Sequence, residues 1–162
     1  MVAEPIQQPA AWQQHVVGEV SLDEVMAYQH PAVVQRLQKK LGIEPRDAEQ
    51  LFADTKRFLC LCAIADEPIA PTETLDFGWH EFILFTRDYA DFCERHFGRF
   101  IHHRPKYPDD PPTNGGQGRR ALAMAQEIFG DGLSENWQYS FPGEANFSCN
   151  DQCGCDAACN DD

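Results

Sequence analysis

Apolar residues recur at helical spacing through most of the chain. Ser21 is placed to cap a first helix whose opening turn carries Asp23 and Glu24, the sign that a helix N-terminus prefers. Pro31 opens the next segment, where Val33, Val34, Leu37 and Leu41 share one face before Gly42 stops it. From Pro45, residues Ala48, Leu51, Phe52, Phe58, Leu59 and Cys62 predict a long helix reaching residue 65, broken by residues 66–71. A further helix is predicted over residues 74–97, ending at Gly98. Its apolar side chains, Leu75, Phe77, Trp79, Phe82, Ile83, Phe85, Tyr89 and Phe92, occupy more than one face, so this helix is expected at the middle of the core. Four prolines and three glycines in residues 104–118 predict a surface loop, and residues 119–129 resume helical periodicity through Leu122, Ala125, Ile128 and Phe129. The expected architecture is an all-α bundle of four to five helices over residues 21–141. An irregular arm, residues 1–20, precedes it, and a flexible, acidic, cysteine-rich tail, residues 142–162, follows.

A chain of 162 residues suffices for one hydrophobic core and not for two. A formal charge of −13 changes the picture of its partners, because nucleic-acid affinity depends on Lys and Arg displacing counterions. No nucleic-acid partner is expected. Residues 121–162 hold eight acids and no Lys or Arg, so this end attracts cations. The first residues lack the basic and apolar pattern of an export signal, and no stretch approaches the ~20 apolar residues of a membrane span. A cytoplasmic, membrane-free protein is expected, in which seven cysteines are reduced thiols or metal ligands.

Asp76 and His80 stand four apart and share a helix face, which offers a carboxylate and an imidazole to a metal ion or to acid–base chemistry. The same pair equally suits a buried hydrogen bond that fixes packing. His80-Glu81 matches the first half of a zinc-protease helix, but Leu84 stands where the second histidine belongs, which rejects that class. His102 and His103 lie just past the helix end. Adjacent side chains diverge, so one of the two is expected to face His80 and complete a two-histidine, one-carboxylate set suited to iron or zinc. His80, in the most apolar helix, is expected to be more buried than His15 or His30. Cys93 with His96, and Cys60 with Cys62, read as packing residues before ligands. Cys149, Cys153, Cys155 and Cys159 crowd into the apolar-poor tail, where four thiolates can wrap zinc, copper or another thiophilic ion. Disulfides in an exported protein, modification of those thiols, and an unstructured end are the competing readings.

The run Asp76-x-x-Trp79-His80-x-x-Ile83-Leu84-x-Thr86-x-x-Tyr89-x-x-Phe92-Cys93, with Phe97-Gly98-x-Phe100-Ile101-His102-His103-x-Pro105, resembles the glycine-rich domain-containing protein-like family. The likeness covers residues 76–105, and residues 45–105 more loosely. Several relatives carry a second histidine two residues after the Trp-His, where this chain has Phe82. The resemblance implies that Asp76, His80, His102 and His103 belong to one shared site, and it implies no particular reaction.

The leading expectation is therefore a metal-binding protein with two sites, an Asp/His site in the helical domain and a thiolate site in the tail. Two other readings stay open. One is an interaction module whose tail is acted on by a partner protein or modifying enzyme; the other is a metal-dependent enzyme, which needs an open coordination position.

Overall fold

The structure is a computed structural model that describes residues 20–112 and 114–141. It is an all-α bundle of six helices: α1 (Leu22–Ala27), α2 (Pro31–Leu41), α3 (Pro45–Ile64), α4 (Glu73–Ile83), α5 (Thr86–Phe97) and α6 (Gly116–Phe129). A single 3₁₀ turn, Glu135–Trp137, closes the described chain. Five of the helices have seven residues or more, and there is no strand among the described residues. The arm up to residue 19 and the tail from residue 142 lie outside the described residues, and with them His15 and the four tail cysteines.

Local signals set several boundaries. The Ser21 hydroxyl accepts the Glu24 N–H, Pro31 and Pro45 occupy first turns where no N–H is missed, and Gly42 and Gly98 end their helices at φ of +64° and +68°. His30 caps α2: its Nδ1 accepts the Val33 N–H at 3.2 Å. Its other nitrogen, Nε2, meets Asp88 Oδ2 at 2.9 Å, tying α2 to the first turn of α5.

The expected helix over residues 74–97 is two helices, α4 and α5, with a turn at Leu84 and Phe85. An unbroken helix of that length would run about 36 Å at 1.5 Å per residue, and no neighbour could cover aromatics on all its sides. The turn folds those residues onto one another instead. The Phe82 ring lies 5.1 Å from Tyr89 and 5.2 Å from Phe92, both edge-on. The middle of the bundle is accordingly α3, against which α1, α2, α4 and α6 all pack. Its Leu51, Phe52, Phe58, Leu59, Leu61 and Cys62 are buried. Helix α4 lies so close to α3 that a Cβ on Gly78 would overlap Thr55 Oγ1, which fixes glycine there.

Residues 116–118, expected in the surface loop, are the first turn of α6. Gly118 has no side chain to collide with Tyr139, whose ring would sit 2.9 Å from a Cβ at that position. Tyr139 in turn donates its hydroxyl to the Ala70 carbonyl at 2.8 Å, closing the chain after α6 over the loop before α4.

Candidate metal centre

Thr72 starts the construction. Its hydroxyl caps α4 by accepting the Leu75 N–H at 3.1 Å and donates to the Asn136 carbonyl at 2.6 Å. That fixes the start of α4 and places Asp76 in its first turn, where the helix dipole favours a carboxylate. His80 follows one helical turn later, with Nδ1 3.1 Å from Asp76 Oδ2. His103 arrives from the segment beyond α5, with Nε2 2.7 Å from Asp76 Oδ1. An ionised carboxylate only accepts, so each imidazole donates an N–H to one oxygen. The two imidazole rings lie 4.3 Å apart, and one ligand-type atom from each of Asp76, His80 and His103 falls within 4.8 Å of the others.

Burial grades across the three. The Asp76 and His103 side chains are 9% and 8% exposed, whereas His80 is 48% exposed and forms the outer edge. The hydrogen bond that His80 donates to Asp76 is the main reason its imidazole is held above its ordinary pKa; burial opposes that, and the Asp76 and Glu81 charges add to it. The His103 ring is also held on its other side, edge-on to Trp79 at 4.5 Å. Trp79 Nε1–H donates to the Tyr89 hydroxyl at 2.8 Å, and that hydroxyl donates to the Ile101 carbonyl at 2.7 Å.

His102 does not join the group. Ile101 is fully buried, His102 is exposed and the His103 side chain is buried again, an alternation that turns adjacent side chains to opposite sides. The His102 ring packs at 4.7 Å on the outward Phe100. Cys93 and His96 do not form a site either: His96 packs between Tyr28 and Phe92 and is held below its ordinary pKa, first by burial and then by Arg95. Burial pushes the Cys93 thiol up and the Cys60 thiol to about 12, so both stay protonated core residues. The comparison of histidines is reversed from expectation. His30, at 11% side-chain exposure, is the more buried and His80 is half-exposed.

Two polar features leave no periodic mark in the sequence. Asp54, 1% exposed on α3, accepts from Arg57, Gln50, Ser134 and Asn136. Lys56, also buried, donates to the carbonyls of Met26 and Tyr28 at the end of α1, and burial brings its pKa down to about 8. A cleft of about 560 Å³ between α1, α3 and the chain after α6 is lined by Leu22, Met26, Asp54, Arg57, Phe129 and Leu133 among others, and contains none of Asp76, His80 or His103.

Among the described residues no helix is long and apolar enough to cross a membrane. A family model described as UCP032817-like matches residues 22–126, and the chain belongs to that family. No curated protein and no solved structure matches it. The resemblance to the glycine-rich domain-containing protein-like family is thereby corrected: the Trp79-His80 and His102-His103-x-Pro105 elements that suggested it lie inside the UCP032817-like span. The family description names no reaction.

Proposed function

We propose that this member of the UCP032817-like family is a metal-binding protein whose helical body holds one divalent ion between Asp76, His80 and His103. The observation that carries this reading is the convergence of a carboxylate and two imidazoles, from α4 and from the segment beyond α5, to within 4.8 Å. Two nitrogens and one oxygen suit zinc or ferrous iron. An ion about 2.1 Å from each ligand needs the ring nitrogens that face Asp76 free of their protons, with each neutral imidazole carrying its proton on the other nitrogen, so it competes with imidazole protonation and binds more tightly as pH rises. The exposed edge of His80 gives the ion a way in. Three protein ligands leave positions for water or a substrate, which is what a metal-dependent enzyme would require. Cys149, Cys153, Cys155 and Cys159 form a separate tail site for a thiophilic ion, copper(I) or zinc, supported by their spacing in the sequence.

One observation favours a second reading. Each Asp76 oxygen already receives an imidazole, so the trio also works without metal as a polar clamp between α4 and residue 103. Zinc titration of chelator-treated protein separates the two. The protein used carries Cys149, Cys153, Cys155 and Cys159 replaced by Ser, so that only the body can respond. The metal reading expects one zinc per chain and, at a hundredfold excess over Kd, a stabilisation of about 2.7 kcal/mol. Adding Asp76→Ala and His103→Ala should abolish both. A flat titration of the parent protein leaves the clamp as the function of these residues.

A further inference from the structure

The imidazole of His103 reaches Asp76 from a segment outside any helix, pinned downstream by an isolated bridge at Pro105 and upstream by a side chain. The segment leaves α5 at Gly98 and crosses back over α4. Two residues upstream of His103, the Ile101 carbonyl accepts the Tyr89 hydroxyl at 2.7 Å. That hydroxyl is itself aimed by Trp79 Nε1–H at 2.8 Å, and both aromatic side chains are fully buried. Trp79 stands next to His80 and also touches the His103 ring edge-on. One hydrogen-bonded chain therefore runs from α4, through α5, to the segment that delivers the second histidine.

We infer that Tyr89 is the positioning residue of the Asp76–His80–His103 site, its hydroxyl setting where His103 stands relative to α4. As a statement about metal affinity this rests on the metal-binding reading above; as a statement about His103 it does not. Removal of the hydroxyl leaves the Trp79 N–H and the Ile101 carbonyl buried and unpartnered, and both can regain partners only by moving. The Ile101 side of that pair carries His103 with it. A shift of that kind matters more to an ion than to a hydrophobic core, because metal–ligand distances tolerate only about 0.2 Å.

The test compares Tyr89→Phe with Tyr139→Phe in the full chain carrying the same four Cys→Ser replacements in the tail, which serves as the parent. Tyr139 also donates its hydroxyl to a backbone carbonyl, Ala70 at 2.8 Å, outside the Trp79–Tyr89–Ile101 chain, so it supplies a matched loss of one hydroxyl-to-carbonyl bond. Two quantities are read. In chelator-treated protein, the His103 Nε2–H proton held by Asp76 is followed by NMR; it should broaden or exchange in Tyr89→Phe and persist in Tyr139→Phe. With zinc, Tyr89→Phe should bind about tenfold to a hundredfold more weakly and Tyr139→Phe as the parent does. An unchanged His103 proton in Tyr89→Phe overturns the inference. So does an unfolded Tyr89→Phe beside a folded Tyr139→Phe, because the hydroxyl would then be holding the whole body. If the parent binds no zinc yet Tyr89→Phe releases the His103 proton, the positioning role stands and the metal reading falls.

Discussion

Asp54 and Asp76 are both buried carboxylates on helices that pack together, yet they meet different donors. Asp54 is met by one guanidinium, two side-chain amides and a hydroxyl, at 2.6–3.0 Å. None of these donors titrates near neutral pH, and together they use the acceptor capacity of the carboxylate. Asp76 is met by two imidazoles, groups that change charge near neutrality and ligate metals when neutral. Burial and charge therefore do not distinguish the two carboxylates. The donors do: those that can only donate lock a fold, whereas those that can give up a proton leave a choice of partner.

Removing each carboxylate gives the largest expected effect and the sharpest break between the two. Asp54→Ala strands Ser134 and Asn136, which anchor the chain after α6, and leaves Arg57 without its partner. Loss of one member of a buried charged pair costs about 3 kcal/mol, a fall in melting temperature on the order of 10 °C for a chain of this size. Asp76→Asn keeps the volume and one acceptor, so its melting temperature should fall by less than half as much while the rise that zinc gives the parent disappears. Differential scanning calorimetry with and without zinc reads both. Similar losses of stability would erase the distinction drawn from the donors.

A smaller effect is expected from the histidines. His30→Ala removes a helix cap and a link to Asp88, at a cost of about 1–2 kcal/mol. His80→Ala removes a half-exposed group whose ion pair contributes less than about 1 kcal/mol in the absence of metal. The order of melting temperatures for the metal-free proteins should therefore be parent, His80→Ala, His30→Ala. Zinc should lift the parent and His30→Ala and leave His80→Ala nearly unmoved. The reverse order without metal would place His80 in the core.

Much of this arrangement is legible from local chemistry and the rest is not, for a physical reason that differs by element. Ser21, Pro31, Gly42, Pro45 and Gly98 act through their own backbone geometry, so their helix boundaries can be read directly. The turn at Leu84 and Phe85 cannot be read from apolar spacing, since a helix apolar on every side and two helices folded together share one pattern. Asp76 and His80 are four apart, a separation the helix itself makes meaningful. The choice of His103 over His102 depends on which way the segment after α5 crosses α4, and that is set by Tyr89, whose hydroxyl has no signature in an apolar run. The partners of Asp54 at 134 and 136 lie 80 and 82 residues away, beyond any local rule. The tail cysteines fall outside the described residues, and their site stays a proposal from composition.

The smallest expected effect is a dependence of metal-free stability on pH that runs in opposite directions for Asp54 and for the His80 imidazole beside Asp76. At Asp54, burial favours the neutral acid, but the hydrogen bonds from Ser134, Asn136 and Gln50 outweigh it and hold the pKa below its ordinary value. The folded state then binds fewer protons than the unfolded chain, so this stabilisation is complete above the ordinary Asp range and is lost as pH falls through the lowered value. At His80 the bond to Asp76 comes first among the causes and the pKa is raised. Its stabilisation is complete below the ordinary His value and is lost as pH rises through the raised one. Urea midpoints of chelator-treated protein, measured from pH 3 to 9, should decline at both ends. His80→Gln should flatten the decline above the ordinary His range and leave the acid side alone, whereas Asp54→Asn should flatten the acid side alone. A single variant that flattened both would mean that the two carboxylates share one titrating network across the α3–α4 contact, and the separation between a locking node and an exchangeable one would not hold.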